Sequence, residues 1–393
     1  MTDATRWPVR EIPAGLRERY SSEGWWTDDT LGQVVDASLR SAPDALIRVW
    51  SDVRPWQSTY AGVRTDALRL VQSLTDAGVQ PGEVVAFQLP NWREAVLAFY
   101  GLALGGFVLV PIVHIYGHKE VRFILAQSGA RAYISPDRYG HVDYLDIVDG
   151  AAPDALPELD LHLVVPTSNA PVPDAPARIR RMLWDDIEQS APATELGAPD
   201  PDDVCVLAYT SGTTSDPKGV MHTHRTLLAE LAHIALWVPR GAPNLMGSPV
   251  THATGMLGAV LAPMQLGEDI HLIDRWDPTR ALQIMLEAGI GAGTGASVFL
   301  SSIIDHPDFT PEHAAMIRGV GLGGAPVPLA LAERAASHGI VLVRAYGSTE
   351  HPSITGSRFD DPADKRHATD GPALPGVEIR MVDGEIWSRG PDL

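Results

Sequence analysis

The chain has 393 residues, 45% of them hydrophobic, which provides a sizeable core for two or three domains or one large domain with subdomains. A formal net charge of −19 argues against nonspecific nucleic-acid binding and against docking on anionic membranes. Any polyanionic ligand must therefore meet a local cluster of donors. A single cysteine, Cys205, excludes an intrachain disulfide and a multiple-cysteine zinc site, and the N-terminus has no apolar signal core; a reducing cytoplasm fits both facts.

In chain order, helical and strand patterns alternate over the first 200 residues. TYAGVRTDALRLVQSLTDAGV is amphipathic, with Gly78 as a helix stop, and EVVAFQL reads as a strand. From Ala95 to Val113 no residue is charged, nearly the length of a membrane span. Gly105, Gly106 and Pro111 interrupt it, so the reading is a helix over 92–104, a glycine turn and a buried strand at 107–110, with no transmembrane segment. VRFILAQSGA and RAYIS continue the alternation, while 151–203 reads mostly as surface connections around one strand, LHLVV. Alternation resumes with strand candidates VCVLAY, NLMGSP, DIHLI, IRGVGLGG and IVLVRAY, separated by PTRALQIMLEAG, ASVFLSSIID and PLALAERAASHG. From about 352 short runs broken by Gly and Pro suggest antiparallel strands. The expected fold is α/β: two doubly wound, mostly parallel sheets with helices packed on them, plus a small, incomplete β-barrel. The expected boundaries are 1–203, 204–351 and 352–393.

The stretch YTSGTTSDPKGV, Tyr209–Val220, follows an apolar strand and precedes HTHRTLLAELAHIALW, which has helical periodicity. Gly212 and Gly219 let the backbone turn its N–H groups toward an anion; Thr210, Ser211, Thr213 and Thr214 add hydroxyls, and Lys218 adds a charge. Lysine occurs only at 119, 218 and 365, although Lys and Arg together number 30, so a mobile point charge at the end of this loop is a marked choice. A solvated Ser/Thr loop without a ligand stays open as an alternative. The Walker-type loop is excluded, because Pro217 precedes Lys218 and Gly219 follows it.

Four further clusters follow: SPVTHATGM with His252, GLGGAPVP from Gly321, RAYGSTE from Arg344 to Glu350, and GEIWSRGP. Two lie just past the ends of predicted parallel strands, where ligands gather in open α/β sheets. With the loop and the YGSTE segment in this order, separated by a PxxH segment and the GGAP turn, the sequence resembles the adenylate-forming superfamily of acyl-CoA synthetases, luciferases and peptide-synthetase adenylation domains, over nearly the whole chain. Ser215 departs from the glycine usual in that loop.

The resemblance implies that a carboxylic acid attacks the α-phosphate of ATP, pyrophosphate leaves, and coenzyme A displaces AMP to give a thioester. By motif match, Thr210 and Glu350 would hold Mg²⁺, Thr349 would bond the α-phosphate, and Ser211, Gly212, Thr213, Thr214 and Lys218 would surround the outer phosphates. The Lys218 and Glu350 segments are expected to meet on one magnesium triphosphate. Gly323, Gly324, Ala325 and Pro326 would admit adenine, with Tyr346 stacking on it and Gly347 and Ser348 completing the nucleotide site. Alternatives stay open: Glu350 as a surface carboxylate, Tyr346 as core, and the GGAP turn as a helix start ahead of Pro328. His252 stands where the amino-acid-activating branch has an aspartate, so a fatty, alicyclic or aryl acid without an α-amine fits; a structural histidine is the alternative. Trp237, Met256, Gly293, Thr294, Gly295 and Gly321 are candidates for the acyl pocket, although Trp237 also suits a core and the glycines a strand-end turn.

The family's ribose-binding aspartate, hinge and mobile C-terminal domain with its lysine have no counterpart before Leu393, so an N-terminal domain that binds ATP weakly and makes thioester poorly is expected. The rival functions are an acyl-AMP ligase serving a carrier protein and a nucleotide-binding module without catalysis. A homodimer remains open.

Overall fold

The computed structural model describes residue 7 and residues 9–152, 154–176, 178–210, 216–238 and 241–393. These residues form two compact units: one up to Ala37 and from Ala61 to Arg225, the other Ser38–Tyr60 with Thr226–Leu393.

The first unit holds a seven-stranded sheet in the order Lys218–Thr223, Val204–Thr210, Val108–Pro111, Val84–Phe87, Ala132–Pro136, Leu161–Val165, Arg180–Leu183. All neighbours are parallel except Lys218–Thr223, which runs antiparallel to Val204–Thr210. The chain passes from Val84–Phe87 to one side and then crosses to the other, which is double winding. Every residue of Val84–Phe87, Val108–Pro111, Ala132–Pro136 and Leu161–Val165 is buried, as strands covered on both faces must be. The uncharged stretch after Ala95 is the helix Arg93–Leu104 and the strand Val108–Pro111, as its glycine interruption predicts. Among the described residues no helix is long and apolar enough to cross a membrane.

Several elements differ from the sequence reading, among them Leu46–Trp50 and Trp56–Thr59, which join the second unit's sheet, and Lys218–Thr223, which is a strand. Arg180–Leu183, expected as surface connection, is an edge strand parallel to Leu161–Val165. Its two arginines mask the strand pattern, yet the Arg181 side chain is nearly buried and pairs with Asp149 at 2.6 Å. Val204–Thr210, expected in the second sheet, pairs through Val206 with Leu109 in the first. An apolar run specifies burial on both faces, not which sheet supplies the neighbours.

The second unit holds a five-stranded sheet in the order Gly291–Ala292, Asn244–Met246, Ile270–Ile273, Leu46–Trp50, Trp56–Thr59, parallel except for the last pair. Val320–Leu322 and Leu342–Tyr346 pair in parallel, with Thr355–Gly356 antiparallel at the edge. A bridge between Gly295 and Leu322 joins the two sheets, and one core including Trp50, Leu245, Leu300, Val320, Leu331 and Leu342 spans both. Toward the C-terminus, Glu378–Val382 and Glu385–Arg389 form an antiparallel hairpin. Asp383 and Gly384 both have positive φ (50° and 86°) at its tip, the turn that matches the twist of paired strands. The antiparallel region expected there is thus an open hairpin; no closed barrel forms among the described residues.

Candidate active site

In the first unit, Thr210 and Lys218 lie directly opposite each other at the end of an antiparallel pair from which the glycine loop leaves. Ser211, Gly212, Thr213 and Thr214, with Ser215, lie outside the described residues. Gly219 packs under the Tyr209 ring: a Cβ there would stand 3.0 Å from it, so the ring would have to give by a few tenths of an ångström. Burial raises the Tyr209 hydroxyl to about 12, so it stays protonated beside the hairpin. Cys205, in the strand below, is buried and its thiol pushed up by burial, which makes it an inert core residue as expected.

The second unit contains a cavity of about 300 Å³. Its floor is backbone. Gly295 N–H donates to Gly321 O at 2.9 Å, and Gly323 N–H donates to Gly295 O at 3.1 Å, so the GAGTG and GLGG segments run side by side without side chains between them. Gly295 has φ +113°, which demands glycine, and a Cβ would stand 2.8 Å from Ser248 Oγ, which would have to move. Of the sequence-predicted residues, Trp237, His252, Thr294, Gly295, Gly321, Gly323, Gly324, Gly347, Ser348 and Thr349 line this cavity.

The other predicted residues lie off its wall. Met256 is buried on the helix behind it, and Gly293 is buried against Leu300. Ala325 and Pro326 continue the turn outward and are exposed. Tyr346, at 40% exposure, is not core, which removes one alternative. Glu350 is exposed past the strand Leu342–Tyr346, with its carboxylate accessible.

The segment carrying Thr349 and Glu350 is a turn closed by Ser348 N–H to His351 O at 2.9 Å and Ile354 N–H to Tyr346 O at 3.0 Å. Gly347 sits inside it so closely that a Cβ would meet Pro352 O at 1.9 Å. His252 caps the helix beginning at Ala253, where its Nδ1 accepts the Thr254 N–H at 3.3 Å. Burial lowers its pKa, so the imidazole is neutral at pH 7 and offers no charge to an acid's chain. The structure therefore gives His252 a capping bond and a place on the cavity wall together. Trp237 Nε1–H donates to Ser357 O at 2.9 Å, which fixes the indole as a wall.

Sequence reasoning missed Glu230, Met246, Leu257, Val343, Arg344 and Ser353, which also line the cavity. Arg344 is held by Asp370 at 2.8 Å, so it belongs to the frame. Glu230 had a legible signal: it is the one charged residue within LLAELAHI, and it is fully buried.

Residues 35–393 match the family described as AMP-binding enzyme. The medium-chain fatty-acid–CoA ligase of Escherichia coli is 28% identical over 390 residues, covering 96% of this chain and 67% of that protein. The long-chain-fatty-acid–CoA ligase FadD13 of Mycobacterium tuberculosis is 29% identical over 358 residues, covering 90% of this chain and 67% of that protein. Among solved structures, apo MbtA of Mycobacterium smegmatis superposes with a TM-score of 0.80 at 24% identity, covering 98% of this chain and 71% of that one; at this identity the likeness is one of fold.

Proposed function

The chain belongs to the AMP-binding enzyme family, and from that premise we propose that it activates a carboxylic acid with ATP as an acyl adenylate and transfers the acyl group to the thiol of coenzyme A. The observation that carries this reading is the glycine-floored cavity of the second unit, which gathers the GLGG turn, Gly347–Thr349 and His252 around one space. Bare backbone admits a flat purine, and Thr349 offers a hydroxyl donor to a phosphate. The names of the similar proteins support a CoA thioester as the product.

Acid carbon chains without an ammonium group suit the wall. It combines Trp237, Met246, Leu257 and Val343 with a neutral His252. We assign the acid to the fatty, alicyclic or aryl class on that basis. Tyr346, Ala325 and Pro326 would border the nucleotide from the exposed side of the turn. Lys218 would place a mobile positive charge on the outer phosphates.

Thr210 and Glu350 fit Mg²⁺ by donor chemistry, since both offer oxygen and the Glu350 carboxylate is accessible. When bound, the ion neutralises phosphate charge. By the motif match, each of these residues would offer its oxygen to orient the triphosphate for in-line attack.

The test is pyrophosphate release from ATP across a panel of straight-chain, alicyclic and aryl acids, followed by product analysis with free CoA. Acid-dependent release with thioester formation supports the proposal. Transfer only to a carrier-protein thiol would reassign the acceptor, and ATP binding without acid-dependent exchange would refute catalysis.

A further inference from the structure

One cluster in the second unit is not used by the proposed reaction. Glu230 and His233 lie on the helix His224–Ile234, and Asp392 lies beyond the C-terminal hairpin, 162 residues from Glu230. All three side chains are completely or almost completely buried. One carboxylate oxygen from each acid and one ring nitrogen of His233 lie within 4.8 Å of one another.

The bonds around the cluster hold its members from outside. Ser353 Oγ–H donates to Glu230 Oε1 at 2.6 Å, and His351 Nε2–H donates to Asp392 Oδ1 at 3.1 Å. Ser388 Oγ lies 2.8 Å from His351 Nδ1 and sets that tautomer. The second oxygens, Glu230 Oε2 and Asp392 Oδ2, are buried and receive no N–H or O–H from any other described residue, and the two carboxyl groups interact directly with each other. His233 Nε2 must donate to Pro375 O at 2.9 Å, because a carbonyl only accepts; its Nδ1 lone pair then faces Asp392 Oδ1 at 3.8 Å. Protein metal sites orient their ligands with such outer hydrogen bonds.

Charge points the same way. The ion-pair partners of Asp392 are the imidazoles of His233 and His351, and Glu230 has no lysine or arginine partner among the described residues. Two carboxyl groups this close and this buried are held together by a shared cation, either a proton or a metal ion.

The geometry points to a divalent first-row transition-metal site formed by Glu230, His233 and Asp392, with Zn²⁺ or Mn²⁺ as the class of ion. Two carboxylates and one neutral imidazole suit these ions and cancel their charge. Ligands stand about 2.0–2.2 Å from such an ion, so donors around a tetrahedral ion are about 3.3–3.6 Å apart. The donor atoms lie within 4.8 Å of one another, so binding draws them together by up to about 1.5 Å. Glu230 and Ser353 line the cavity, which supplies an entry path. The ion would tie the helix His224–Ile234 to the segment after the hairpin and so brace one wall of the cavity.

The experiment needs neither ATP nor an acid, so its result is independent of the proposed ligase reaction. Chelator-treated wild-type protein is titrated with ZnCl₂ and with MnCl₂ at pH 7.5 by calorimetry, with bound metal counted by mass spectrometry and the unfolding midpoint followed. The expected result is one equivalent bound per chain and a midpoint that rises with metal concentration. Glu230→Gln and Asp392→Asn should each weaken binding at least about 100-fold, and His351→Gln about 10–100-fold. Glu333→Gln, at an exposed position outside both sites, should leave it unchanged. Folded wild-type protein that binds neither ion at millimolar concentration would overturn the site and leave a shared proton as the cation. Undiminished binding in both carboxamide variants would overturn it equally.

Discussion

Replacing Gly347 by alanine puts a methyl carbon 1.9 Å from Pro352 O, 2.4 Å from Pro352 C and 2.9 Å from His351 O. Ordinary contact begins at 3.4 Å, so the chain must yield by 3.4 − 1.9, or 1.5 Å. All three obstacles are backbone atoms, which have no alternative rotamer. They also belong to the turn closed by Ser348 N–H to His351 O and Ile354 N–H to Tyr346 O, so the displacement carries to Thr349 and Glu350 between them. A misplacement of about 1 Å at reacting groups costs on the order of 10² in rate. Overpacking costs a further 1–3 kcal/mol or so in stability. Acid-dependent ATP–pyrophosphate exchange should therefore fall at least about 100-fold in Gly347→Ala. Gly339→Ala, after the helix Leu329–Ser337 and away from the cavity, is the control: its Cβ meets nothing within 4 Å, and the cost is that of holding φ near +76°, roughly 1–2 kcal/mol, with little effect on rate. Folded Gly347→Ala protein exchanging at the wild-type rate would refute the claim that this turn positions the reacting groups.

Four other outcomes follow from the same geometry. Trp237→Ala removes a cavity wall and leaves Ser357 O without the indole donor; relative exchange rates should shift toward bulkier acids, with a loss of about 3 kcal/mol in denaturant unfolding, and an unchanged acid profile would count against Trp237 as a wall. Glu350→Gln should abolish Mg²⁺-dependent exchange while circular dichroism stays native; retained exchange removes Glu350 from the metal's ligands. Burial lowers His224 and His271 from 6.5 to about 4, and the Nδ1 of each accepts a hydrogen bond, from Leu31 N–H at 2.9 Å and Trp50 Nε1–H at 3.1 Å respectively. Their folded values lie below the unfolded one, so the unfolded chain binds more protons between pH 4 and 6.5; the stabilisation is complete above pH 6.5 and lost toward pH 4, on the order of 3 kcal/mol each. Denaturant unfolding at pH 7 and pH 5 should show this loss, and His224→Asn should flatten it; equal slopes in both proteins would exclude His224 as its source. Finally, Cys205 should resist iodoacetamide in the native protein and react only on unfolding; stoichiometric native labelling would show that the strand opens readily.

Much of the architecture was legible because its signals are local. Continuous apolar runs marked Val84–Phe87, Val108–Pro111 and Leu161–Val165 as buried strands, and the glycines at 105 and 106 divided a span-length apolar stretch into helix and strand. The glycine-rich and YGSTE segments marked the cavity floor and its turn, since their residue types are demanded by backbone conformation and close approach. The off-wall positions of Met256 and Gly293 were not legible, because which side of an element faces a cavity depends on packing against the next layer.

What the amino-acid sequence determined by itself was the succession of elements and the chemistry of its loops, both written in periodicity and residue type within a dozen or so positions. Only the tertiary structure decided partnership. It paired Leu46–Trp50 with Ile270–Ile273 across more than 200 residues. It assigned Val204–Thr210 to the first sheet, and it brought Asp392 to Glu230 and His233 inside the second unit. A strand's apolar face or a carboxylate's charge states that a partner is needed, but many segments can meet that need. The choice among them follows from packing and burial over the whole chain, where each pairing gains its energy only once the others are in place.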